Sequence, residues 1–75
     1  MQLVPHQNYQ IVGFSPKINI FYRHRLLTLG MLPGSIFKII RIAPLGDPIQ
    51  IETRHLTILL RKKDLLTYFQ LEMMK

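Results

Sequence analysis

Apolar residues occupy both parities from Ile36 to Ala43, interrupted only by Lys38 and Arg41, which predicts a strand covered on both faces or bulged. Farther on, Ile49, Ile51 and Thr53 alternate with Gln50, Glu52 and Arg54, a period of two that turns one face to a core and the other to water. Between these runs, Pro44 and Pro48 fix φ and lack N–H groups, Gly46 supplies positive φ, and Asp47 is suited to bond its own turn backbone. The chain therefore turns there, and this hairpin is the element around which the rest packs. Tyr9 to Phe14 reads as a first strand with Gly13 marking a bulge. Leu56, Ile58 and Leu60 alternate with Thr57, Leu59 and Arg61 in a fourth strand, joined to the third by a tight connection at Arg54-His55. Leu59 is the odd apolar residue on its outward face. Tyr68 to Met73 forms the last strand.

One stretch keeps helical rather than strand spacing. Asn19 is an N-cap for a helix from Ile20 to Leu29, and Gly30 takes the position where a left-handed residue closes the last turn. Tyr22, Leu26 and Leu29, with Ile18 ahead of them, face a core, whereas Arg23, His24 and Thr28 face solvent; about three turns with only two cations favour this core packing over a membrane-surface helix. Lys62 to Leu66 predicts a single helical or 3₁₀ turn. Pro33-Gly34 suits the centre of a type II turn, and the apolar Met31 and Leu32 before it either cap a barrel end or present an apolar edge to a partner. Five short strands and one proper helix specify a mainly β fold, a closed or nearly closed small barrel, because closure removes exposed strand edges. Residues 1–75 form one domain, of which 1–8 are an irregular lead-in.

Composition narrows the means of stabilisation. With 48% hydrophobic residues and no cysteine in 75 positions, the core is apolar packing without disulfide or thiolate-metal support. At about 0.05 to 0.15 kcal/mol per residue, net stability is about 4 to 11 kcal/mol. Absence of cysteine fits a reducing compartment, no signal-peptide pattern is present, and Lys38, Arg41, Arg54 and Arg61 break every apolar run short of a membrane span. A cytoplasmic location is expected. Ten Lys/Arg against four Asp/Glu give +6, a charge that fits nucleic acid, an anionic membrane face or an acidic protein partner. The cations are scattered, as on an ordinary solvated surface, except at Arg23/Arg25 and Arg61-Lys62-Lys63.

Candidate chemistry is sparse. Ser15 and Ser35 lack a nucleophile-elbow pattern, and Asp47, Glu52, Asp64 and Glu72 make no acid/base pair, so catalysis is not expected. Gly30 to Gly34 has neither the spacing nor the Lys-Ser/Thr of a phosphate loop. The spacing of His6, His24 and His55 does not bring them together with a carboxylate, and neither a metal site nor any cofactor is expected. Tyr9, Phe14, Phe37, Tyr68 and Phe69 fall mostly where a core needs filling, rather than on an open basic sheet face, so nucleic acid is not the favoured partner.

Three segments in order, Arg25-Leu26-Leu27-Thr28-Leu29-Gly30-Met31-Leu32-Pro33-Gly34, Arg41-Ile42-Ala43-Pro44-Leu45-Gly46-Asp47-Pro48-Ile49 and Ile58-Leu59-Leu60-Arg61-Lys62-Lys63-Asp64, resemble the bacterial ferrous iron transport protein A family, FeoA. The similarity runs from about Tyr9 to Glu72, with His55 standing where the family often has glycine. The resemblance implies a small SH3-like β-barrel in the cytoplasm, accessory to a membrane ferrous iron transporter that carries a GTPase domain. The candidate contact residues come from physical reasoning instead: Leu29, Met31 and Leu32 for apolar contact, with Arg23, Arg25 and Lys62 steering toward an acidic partner or anionic membrane surface. The alternatives are a small basic nucleic-acid-binding barrel and the related barrel module of metal-responsive repressors, the latter without its DNA-reading helical domain.

Overall fold

A computed structural model describes residues 2–74, and its elements run β1 (Asn8–Phe14), α1 (Ile20–Thr28), β2 (Ile36–Ile42), β3 (Ile49–Glu52), β4 (Thr57–Leu60), α2 (Lys62–Tyr68) and β5 (Phe69–Met74). The strands form one antiparallel sheet in the order β4-β3-β2-β1-β5, barrel-like in its wrapping although β4 and β5 are its two edges. The mainly β, SH3-like class read from the sequence is the observed one.

Two irregularities bend the sheet where the hydrophobic pattern asks for it. Between β2 and β3 the register passes from Ile39↔Ile51 to Arg41↔Gln50, so Ile40 is an extra residue, and this bulge accommodates an apolar run that strict alternation cannot. Between β1 and β5 the register passes from Ile11↔Leu71 to Gly13↔Gln70, which makes Val12 the extra residue beside the expected Gly13. Inside the curved sheet lie Tyr9, Ile11, Phe37, Ile39, Ile49, Ile51 and Leu60, with Tyr9 and Phe37 stacked at 5.8 Å between ring centroids. Ile58 joins them half-buried, whereas Leu56 is exposed because β4 begins one residue after it.

α1 has the caps its sequence specifies, although the helix ends at Thr28 and Leu29, expected as its last residue, is the C-cap. The Asn19 side chain accepts from the Phe21 and Tyr22 N–H groups at 2.8 and 3.3 Å. At the other end Gly30, at φ +87°, donates to Leu27 O while the Met31 N–H donates to Leu26 O, the paired bonds of a Schellman closure. That closure carries the Met31 side chain into the cluster that holds Leu26, and Met31 is 0% exposed. Of its two sequence readings, Met31 caps the barrel; its place among partner-facing residues is corrected. Leu32 remains exposed and starts the Pro33-Gly34 turn, where Gly34 has φ +92° and Ser35 N–H donates to Leu32 O at 2.9 Å.

Three further expectations change. Lys62 to Leu66 is not a single turn but the first part of a seven-residue helix that buries Leu65, and the last strand starts at Phe69 rather than Tyr68. Asp47 does not serve its own turn: its Oδ1 accepts from the Lys62 N–H at 2.7 Å, capping a helix whose own N-cap residue, Arg61, makes no side-chain cap bond. The lead-in is shorter than residues 1–8, since Asn8 opens β1, and it is anchored. Leu3 is buried, the Val4 N–H donates to the Tyr9 hydroxyl at 2.8 Å, and the Ile39 N–H donates to Gln7 O at 3.0 Å.

Candidate partner-binding groove

Between helix α1 and β4 runs a groove. From α1 come Tyr22, Arg25, Leu26 and Leu29; β4 and the start of α2 supply Ile58, Leu59, Leu60, Arg61 and Asp64. Its volume is about 210 Å³, room for an inserted side chain but below the roughly 300 to 1,000 Å³ of ordinary small-molecule sites. The floor is apolar, Leu59 is 63% exposed, and Arg25 and Arg61 stand at the rim.

β4 contributes backbone as well as side chains. Thr53 N–H donates to Leu56 O at 2.8 Å, closing a hairpin in which Ile51↔Ile58 and Ile49↔Leu60 share its hydrogen-bonding phase. The N–H and C=O groups of Thr57 and Leu59 consequently point away from β3, along the unpaired edge of an end strand. His55 fits this connection without a left-handed backbone, since His6 is the sole non-glycine residue of positive φ among the described residues. The glycine often found there in the resembled family is not required.

At the inner end of the groove, the Tyr22 hydroxyl donates to Asp64 Oδ2 at 3.1 Å, and the Tyr22 ring meets Tyr68 edge-on at 5.8 Å. Burial first, then the Asp64 charge and hydrogen bond, raise the Tyr22 pKa from 10.0 to about 12. The phenol thus remains a proton donor tying α1 to α2, not a nucleophile. Because the folded protein holds this proton more tightly than the unfolded chain does, the stabilisation is complete below pH 10 and is lost as pH rises through about 12. Denaturant titrations of the parent and Tyr22→Phe should diverge in slope across that window, the parent losing stability more steeply; parallel curves would remove the Tyr22–Asp64 bond from the account.

The six contact residues expected from the sequence separate in space. Arg25 and Leu29 line the groove, and Lys62 is exposed next to Arg61 at the start of α2. Arg23 projects on the other flank of α1, its guanidinium carbon 5.9 Å from the centroid of the Phe14 ring, in a shallow hollow shared with Ile18, Ile20 and Pro33. Leu32 does not line the groove, and Met31 is in the core. The sequence reading left Arg61 and Leu59 out of the contact set, although Leu59 had shown itself by breaking the outward polarity of β4. Phe21, 81% exposed, had no patterned signal except its position opposite Leu26 on the helix. Tyr9, Phe37 and Phe69 are buried and Phe14 and Tyr68 half-buried, so these rings form no open stacking platform. Among the described residues no three His, Asp or Glu side chains cluster as a metal site. Among the described residues no helix is long and apolar enough to cross a membrane.

Comparison with known proteins places this architecture. The FeoA domain family model matches residues 1–65. A Pseudomonas aeruginosa protein whose solution structure is known is 48% identical, with 97% of this chain and 96% of that one covered and a TM-score of 0.72. The iron(II) transport protein A of Clostridium thermocellum is 29% identical over 96% of this chain, which spans 43% of that one, with a TM-score of 0.83. The FeoA protein of Chlorobium tepidum, at 23% identity over 99% of this chain and 68% of that one, shares the fold with a TM-score of 0.84.

Proposed function

The chain belongs to the FeoA family, and from that membership we propose that it serves ferrous iron transport as a non-catalytic accessory protein, binding and modulating a membrane Fe(II) transporter that carries a GTPase domain. Iron in this reading is the cargo of the partner. The chain's own contribution is a surface at the cytoplasmic face of the transporter, and the observation that carries the proposal is the groove between α1 and β4. Its exposed Leu59 and half-buried Leu29 offer apolar burial, while the free edge of β4 offers backbone hydrogen bonds to an extended segment of the partner. Arg25 and Arg61 at the rim, backed by a net charge of +6, favour an acidic segment and speed its encounter.

The test is retention of the transporter, with and without its GTPase domain, on the immobilised protein. Leu59→Asp should weaken retention by roughly thirtyfold, the effect of losing about 2 kcal/mol at a central contact. The variant stays folded because the side chain already stands in water. Reversing Arg25 and Arg61 to Glu should mainly slow association and reduce its salt sensitivity. Undiminished retention by Leu59→Asp would sink the groove as the contact.

A further inference from the structure

The outer ridge of α1 carries two large apolar side chains that stand mostly in solvent: Ile20 is 60% exposed and Phe21 is 81% exposed, side by side in the first turn. Their presentation is fixed, because Asn19 holds the N–H groups of Phe21 and Tyr22 while Leu26 and half-buried Tyr22 anchor the opposite face. At 3.6 residues per turn, Ile20, Phe21, His24 and Thr28 share the ridge, with Arg23 on one flank and Arg25 on the other. Lys17, Arg23 and Arg25 are exposed, and no Asp or Glu precedes Asp47 in the chain.

We propose that this ridge docks on the surface of an anionic phospholipid bilayer, with Phe21 and Ile20 entering the boundary between headgroups and acyl chains and Lys17, Arg23 and Arg25 meeting the lipid phosphates. The charge pattern selects this occupant. A second copy would set cation against cation across the same ridge. A nucleic acid would find a single exposed ring there and, in Ile20, a side chain with nothing to offer a base or a phosphate. A bilayer needs no complementary socket for a convex wedge, and apolar insertion between flanking cations is how interfacial helices bind. One helix with two apolar residues binds weakly and reversibly, which suits a protein whose principal contact is elsewhere. Ile20, Phe21, Lys17 and Arg23 do not line the α1–β4 groove; Arg25 does, and it is left unchanged in the test, so the inference is separable from transporter binding.

The probe is co-sedimentation with vesicles of phosphatidylcholine alone and of phosphatidylcholine mixed with phosphatidylglycerol. The parent should bind the mixed vesicles in a salt-sensitive manner and leave the neutral ones unbound. Phe21→Ser should lower the partition coefficient about tenfold, and Lys17→Gln combined with Arg23→Gln about thirtyfold, at about fivefold per cation. Circular dichroism of both variants should match the parent, since every substituted side chain is exposed. Failure of the parent to bind mixed vesicles, or equal binding by Phe21→Ser, overturns the proposal. So does binding to single-stranded DNA that is lost with Phe21 while vesicles stay unbound, which assigns the ridge to nucleic acid. A monomer–dimer equilibrium abolished by Phe21→Ser, again without vesicle binding, assigns it to a second copy. Retention of the transporter by Phe21→Ser separates this result from that of the groove.

Discussion

Met31→Asp is expected to unfold the protein at neutral pH. The site is 0% exposed and sits just past the end of α1, where the backbone N–H is already committed to Leu26 O and the side chain is packed in the main cluster. No cation is buried there to pair with a carboxylate, since the buried residues among those described are all hydrophobic. An unpaired buried ion costs several kcal/mol even after relaxation, against a total stability of about 4 to 11 kcal/mol. Thermal unfolding followed by circular dichroism should show no cooperative transition for Met31→Asp at pH 7, whereas Met31→Leu should stay within about 1.5 kcal/mol of the parent. A native-like transition for Met31→Asp would return Met31 to the surface and reverse the assignment of the helix end.

Ile51→Ala should cost about 2 to 5 kcal/mol, the range for truncating a fully buried aliphatic side chain where the surroundings cannot collapse. Ile51 is 0% exposed and pairs with Ile39 on one side and Ile58 on the other, so bulged and regular parts of the sheet converge on it. The denaturant midpoint should fall with little change in slope. An unchanged midpoint would move the buried face of β3 to the other parity.

These two residues differ in how openly the sequence announces them. Ile51 belongs to a strict alternation, and alternation is a local property of a strand, so its burial is legible without knowledge of the fold. The hairpin prolines, the Asn19 cap and the Gly30 closure are legible for the same reason, since each is set by the conformational demands of its own neighbourhood. Met31 stands outside any period. Its signal was the Schellman pattern itself, in which an apolar residue following the C′ glycine packs against the residue five positions earlier, here Leu26. The full extent of α2 was hidden for a non-local reason. Its cap, Asp47, belongs to the β2–β3 connection, and nothing next to Lys62 in the chain announces that a carboxylate will arrive there.

The groove shows the same division. Leu29 and Arg25 are found by helical spacing because α1 alone determines which way they point. Arg61 and Leu59 share the groove with them only because β4 is brought beside the helix, and that placement depends on the pairing of β4 with β3 and of β3 with the bulged β2. Phe21 entered no reading of the sequence, although helix geometry alone sets it away from the buried Leu26.

The pairing of β1 with β5 orders events in time. β1 lies between β2 and β5, so as the chain is made it can find β2 early, while its other edge waits until β5, the last of the five strands in order, has emerged. Until then the nascent chain carries an open edge on β1 and lacks the Phe69 side chain that completes its core. The hairpin of β3 and β4 forms from near neighbours, but closure of the whole sheet waits for β5, and interruption before it leaves a chain exposed to edge-to-edge association.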